Sequence, residues 1–118
     1  MQYICLIYAD EAVQDGMSPE DKGAYFQGYM DFTREIIANG NFKAGEALHP
    51  VAAATSVRLR DGKVLATDGP FAETKEALGG FYLIEAADLD EAIAIAARIP
   101  TAKHGTIEVR PIQVFDKS

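Results

Sequence analysis

Residues 2–8, Gln2-Tyr3-Ile4-Cys5-Leu6-Ile7-Tyr8, are apolar at nearly every position, so both alternating faces of the run are hydrophobic. A strand of that kind belongs in the middle of a sheet covered on both sides. Gly80-Phe81-Tyr82-Leu83-Ile84-Glu85 repeats the pattern. The chain must therefore cover both faces of its sheet, and 118 residues is enough for one domain with its own core.

The rest of the chain supplies one covering layer. Ser18-Pro19-Glu20-Asp21 reads as a helix start. Ser18 can cap, Pro19 suits the first helical position, and the two acids favour the positive end of the helix dipole. The spacing of Phe26, Tyr29, Met30, Thr33, Ile36 and Ile37 predicts one apolar face on a helix running to about Ala38, ended by Asn39-Gly40 in left-handed geometry. A strand is expected near Phe42–Leu48. Ser56–Arg60 alternates polar and apolar side chains, and Asp61-Gly62 is a strong hairpin signal before a returning strand at Lys63–Thr67. Asp88 with Glu91 opens a second helix, carrying Leu89, Ala92, Ile93, Ala96 and Ile99 on one face and stopped by Pro100. A last strand is expected over Thr106–Phe115, with Pro111 marking an edge or a bulge.

The order strand–helix–strand–hairpin–strand–helix–strand predicts an α+β fold, a ferredoxin-like split βαβ sandwich with an inserted hairpin and two helices on one face. No third helix remains for the other face. A homodimer joined through the open sheet face is the expected solution.

Composition excludes several classes. Eleven basic against 18 acidic residues give a net charge of −7, which argues against a nucleic-acid partner. The single cysteine, Cys5, excludes a cysteine-based zinc site and an internal disulfide, and favours a reducing, cytoplasmic setting. The apolar start has no basic leader and is too short to span a bilayer, so neither a signal peptide nor a membrane partner is expected. Gly79-Gly80 lacks the spacing of a dinucleotide loop, and no Gly-x-Ser-x-Gly elbow occurs.

The chemistry concentrates in Asp68-Gly69-Pro70-Phe71-Ala72-Glu73-Thr74-Lys75-Glu76, four ionisable side chains around a rigid turn. Read plainly it is a stiff connection, with Asp68 bonding nearby amides and Phe71 plugging the core. Read functionally it is a site. His49 and His104 are the only imidazoles, and either can act as general acid/base if Asp68 or Glu73 stands beside it. Both also fit exposed turns. Lys75 or Arg110 can hold an anionic group, although Arg110 serves equally as a structural partner of Glu108 or Glu85. His49, His104, Asp68 and Glu73 are of the type zinc accepts, but no two lie at a local ligand spacing, so no metal and no cofactor are expected.

The nine-residue run Asp68–Glu76 resembles the signature of the DGPF branch of the YCII-related proteins. Ala44-Gly45-Glu46-Ala47-Leu48, Val57–Lys63, Gly79-Gly80-Phe81-Tyr82 and Ile107–Pro111 extend the resemblance over nearly the whole chain, read as one domain of residues 1–118. The resemblance implies a fold of the dimeric α+β-barrel kind and an activity that is unestablished; some relatives accompany extracytoplasmic-function sigma factors. In smaller YCII proteins a His–Asp pair in a cleft is taken as the acid–base unit. This chain departs from them in having no histidine between Ser18 and Met30. Two functional readings follow. One is a cofactor-free enzyme acting on a small organic substrate, with His49 or His104 as acid/base, Asp68 orienting it, and Phe71, Glu73, Lys75 and Arg110 lining the site. The other is a metabolite-binding or regulatory module without catalysis.

Overall fold

The computed structural model describes residues 1–115. Six strands and three α-helices follow one another as β1 (Gln2–Ala9), α1 (Glu11–Asp15), α2 (Pro19–Ala38), β2 (Phe42–Ala47), β3 (Thr55–Arg60), β4 (Lys63–Asp68), β5 (Ala77–Glu85), α3 (Leu89–Ala96) and β6 (Thr106–Pro111). The fold is α+β. Four strands form an antiparallel sheet in the order β2-β5-β1-β6, and β3 pairs with β4 as a separate hairpin. Among the described residues neither sheet closes into a barrel.

The two doubly apolar runs are the two central strands, as their composition requires. Tyr3, Cys5 and Ile7 of β1 and Tyr82 and Ile84 of β5 point to one side and are buried. Phe32 and Ile36 of α2, with Ala92, Ile95, Ala96 and Ile99 in and after α3, complete that core, so both helices cover the same face. Ile4, Leu6, Tyr8, Phe81 and Leu83 have the opposite parity and stay partly exposed on the other face.

The helix ends follow from local chemistry. Ser18 Oγ accepts from the Asp21 amide at 3.1 Å, Pro19 holds the first turn, and Gly40 adopts φ 79° just past the end of α2. Asp88 caps α3 by accepting from the Glu91 amide at 2.9 Å. Pro100 does not itself stop α3. The helix ends at Ala96, and Pro100 opens a short 3-10 turn, Pro100–Lys103, that leads to β6. Asp61 and Gly62 both take positive φ, 52° and 74°, the mirror-image turn that matches strand twist.

Four further expectations are corrected. The polar stretch after β1 holds α1, capped by Asp10 accepting from the Ala12 amide. β6 stops at Pro111 rather than Phe115: Ile112 N–H still donates to Gln2 O at 2.9 Å, but β1 begins at Gln2 and offers no further ladder. The apolar face of α2 is also split. Phe32 and Ile36 enter the core, whereas Phe26, Met30 and Ile37 are exposed on the neighbouring stripe. Phe71 plugs nothing: it is 82% exposed. Residues 116–118, the end of the expected domain span, lie outside the described residues.

Candidate functional site

The second stripe of α2 has a use. Between α2 and the β2–β5 side of the sheet lies an open cleft of about 820 Å³, walled by Phe26, Met30 and Ile37 from the helix, by Phe42 from β2 and by Leu48 just after it. That volume and apolar lining are of the order that suits a small organic ligand. The three exposed residues that would be anomalous on a core helix are the wall of a cavity.

Polar groups converge on its floor. Tyr25 and Tyr29 sit one turn apart on the inner side of α2, with rings 5.3 Å apart edge to face. Both hydroxyls bond Thr101 Oγ1, which is buried in the 3-10 turn. Tyr82 on β5 bonds Thr33 on α2 at 2.6 Å between oxygens, and its ring stacks 6.5 Å from that of Tyr29. Gly45 makes room for it: a Cβ there would stand 2.8 Å from Tyr82 Cδ1. Burial pushes the Tyr29 phenol up, more than its bond to Thr101 pulls it down. Burial likewise raises Tyr82 against the lowering effect of Thr33. Both phenols therefore stay protonated in the neutral range and act as donors or acceptors, not as anions. Lys22, Arg34 and Glu46 add charge at the cleft wall.

None of the seven residues singled out from the sequence lines this cleft. Asp68 ends β4 and is exposed; Glu73 and Lys75 follow it, exposed, on the loop to β5. Gly69, at φ 103°, pins that loop to the base of the hairpin: its amide donates to Ala54 O at 2.7 Å, and Ser56 Oγ donates to its carbonyl at 2.8 Å. His49 is exposed in the turn after β2. Arg110 is exposed on the edge strand and pairs with Glu108, one of the two structural partners foreseen for it. Within one chain no ion pair joins either histidine to Asp68 or Glu73 among the described residues.

His104 comes nearest. It ends the 3-10 turn, and its ring lies 5.6 Å from that of Tyr25. Both ring nitrogens are buried without a hydrogen-bond partner. Buried polar atoms are nearly always paired, so two orphans on one imidazole mark a place where a partner is missing. Among the described residues, no group of His, Cys, Asp and Glu side chains is arranged to hold a metal ion, and no helix is long and apolar enough to cross a membrane.

Sequence reasoning passed over Tyr25, Tyr29, Thr33, Tyr82 and Thr101. Two signals pointed to them: tyrosines four apart on a helix, and a glycine inside a strand at Gly45.

Beside this geometry stand two likenesses to known proteins. The model of the YCII-related domain matches residues 1–116. This chain belongs to the YCII-related family. An uncharacterised protein of Rhizobium meliloti is 38% identical over 117 residues, covering 98% of this chain and 94% of the relative. Family membership thus accounts for nearly the whole length, and the cleft lies within the matched span.

Proposed function

We propose that this YCII-related protein binds a small, largely apolar organic molecule in the α2–sheet cleft, oriented by its hydroxyls. The observation that carries this is the convergence of Tyr25, Tyr29, Thr101, Tyr82 and Thr33 on the floor of a cavity walled mainly by apolar side chains. Neutral phenols and threonine hydroxyls recognise a carbonyl, carboxylate or hydroxyl oxygen, and Lys22 and Arg34 favour a ligand with some negative charge.

The working unit in this reading is a cytoplasmic homodimer. The apolar residues Ile4, Leu6, Tyr8, Phe81 and Leu83, only half-buried in the single chain, support a sheet-to-sheet joint. A buried, unpaired Cys5 fits a reducing compartment. The strand order β2-β5-β1-β6 with both helices on one face supports a ferredoxin-like core of the dimeric α+β-barrel type, and the Asp68–Glu76 signature supports the DGPF branch.

One observation favours a catalytic version. His104 does not line the cleft, but its two ring nitrogens have no partner among the described residues and its ring stands 5.6 Å from that of Tyr25, which does line it. In this version His104 is the general acid/base, acting beside Tyr25, and the half-buried phenols of Tyr25 and Tyr29 polarise the reacting oxygen. An Asp68 partner for it must come from a second copy, since Asp68 is exposed on the hairpin of its own chain.

Titration with 8-anilinonaphthalene-1-sulfonate, an apolar aromatic anion, tests the binding reading. Saturable binding is expected, weakened at least about tenfold by Met30→Trp, which fills the cleft, and reversed by small aromatic carboxylates. Unsaturable binding, or binding indifferent to Met30→Trp, contradicts it.

A further inference from the structure

The hydroxyls on the cleft floor carry more protons than they have bonds for. Tyr25, Tyr29 and Thr101 bring one O–H each. They share two contacts, both made at Thr101 Oγ1. Two contacts use two protons, and one is left over. Burial decides where it sits. If both phenols donated to Thr101, the spare proton would be the threonine's own, yet Thr101 is buried and its hydroxyl has no other hydrogen-bond partner among the described residues. The bonds therefore run through Thr101: one phenol donates to it, it donates to the other, and that second phenol keeps an unused O–H. Both phenols line the cleft, so the unused donor is there whichever of them holds it. Thr33 and Tyr82 repeat the count, with two protons for one contact of 2.6 Å, and both also line the cleft.

Charge continues the pattern. Lys22, Tyr25, Tyr29 and Thr33 follow one another at steps of three, four and four along α2, which makes them one stripe beside Phe26, Met30 and Ile37. Lys22 stands at the head of that stripe, in the cleft wall. It enters none of the ion pairs among the described residues, whereas Arg34 is held by Asp31 at 3.6 Å. The stripe is thus rich in donors and short of acceptors, and the one carboxylate of the cleft wall, Glu46, is exposed. An alcohol takes up one spare proton but brings another. An ammonium only adds protons. A carboxylate accepts at both oxygens and brings none.

We propose that the ligand of the cleft carries a carboxylate, seated against Lys22 and the unused phenol of the Tyr25–Thr101–Tyr29 chain, with its apolar body along Phe26, Met30 and Ile37. The proposal rests on the binding reading above and narrows it. That reading admits carbonyl, carboxylate and hydroxyl oxygens alike; the proton count and the unpaired ammonium select the acceptor-only anion, because charge-assisted hydrogen bonds are the stronger ones.

Displacement of 8-anilinonaphthalene-1-sulfonate by cinnamate, cinnamyl alcohol and cinnamylamine, which share one skeleton and differ in the head group, tests this at neutral pH. Cinnamate is expected to bind at least about tenfold more tightly than the alcohol, with the amine, an ammonium at that pH, weakest. Lys22→Met is expected to cut the advantage of cinnamate over the alcohol by about fivefold. The double variant Tyr25→Phe, Tyr29→Phe keeps both rings and is expected to remove most of the remainder. An alcohol or amine that binds as tightly as cinnamate overturns the carboxylate inference, and so does a cinnamate advantage that survives both variants. A probe that saturates and is weakened by Met30→Trp, but is displaced by none of the three, also overturns it and leaves cleft binding standing. A probe that does not saturate overturns both.

Discussion

The Tyr82 hydroxyl lies 2.6 Å from Thr33 Oγ1, joining the central strand β5 to α2 across the floor of the cleft. Tyr82 also stacks on Tyr29 and meets Phe32 and Phe42 edge to face, with ring centroids 6.5, 5.2 and 6.3 Å away. One residue thus belongs both to the core and to the proposed site. Thr33→Val keeps the shape and removes the bond. It should cost about 1 kcal/mol in urea unfolding and push the Tyr82 phenol further up, because Thr33 is what holds it down.

The division of α2 into a core stripe and a cleft stripe predicts opposite outcomes for similar truncations. Ile36 is fully buried, and Ile36→Ala should destabilise by about 2–5 kcal/mol. Phe26 is 66% exposed, and Phe26→Ala should change stability by no more than about 0.5 kcal/mol while weakening binding of the anilinonaphthalene probe. Equal losses of stability would mean that the stripe assignment is wrong.

Stability should fall on the alkaline side in two stages. Burial raises Cys5 from 9.0 to about 11 and lifts Tyr29 and Tyr82 above the ordinary phenol value of 10.0. Each group holds its proton more tightly folded than unfolded, so its contribution is whole below the unfolded value and is lost as pH rises through the folded one. Cys5 therefore starts the decline near pH 9, and the tyrosines continue it from about pH 10. Denaturation measured against pH should show Cys5→Ala flat to about pH 10, where wild type has already begun to fall.

Much of the fold was legible in the sequence because it rests on local signals. Double-faced apolarity placed β1 in mid-sheet and marked β5 as a strongly apolar strand, Ser18-Pro19 opened α2, and Asp61-Gly62 turned the hairpin. The site was less legible. Asp68, Glu73, Lys75 and Phe71 attract attention because ionisable and rigid residues cluster in the chain, yet the loop rides on an arm away from the cleft. Tyr25, Tyr29, Tyr82 and Thr101 come from α2, β5 and the turn after α3, and only folding brings their hydroxyls together. Phe26, Met30 and Ile37 fit the helical period as well as Phe32 and Ile36 do. Periodicity counts apolar residues and does not say which stripe meets the core and which meets a cavity.

His104 offers a separate check on its unpaired nitrogens. His104→Phe keeps a ring against Tyr25 and removes two buried polar atoms. Stability should rise by about 1 kcal/mol in the free protein, since no protein bond is lost. A loss of that size would show that the imidazole is already satisfied in solution.

Tyrosine rings report the central claim directly. The five tyrosines divide into Tyr25, Tyr29 and Tyr82, which line the cleft, and Tyr3 and Tyr8, which do not. With ¹³C-labelled tyrosine, NMR titration of the protein with 8-anilinonaphthalene-1-sulfonate should move the first three sets of ring resonances to saturation and leave Tyr3 and Tyr8 in place. Saturating shifts at Tyr8 alone would move the binding surface to the open face of the sheet and contradict the assignment of the cleft.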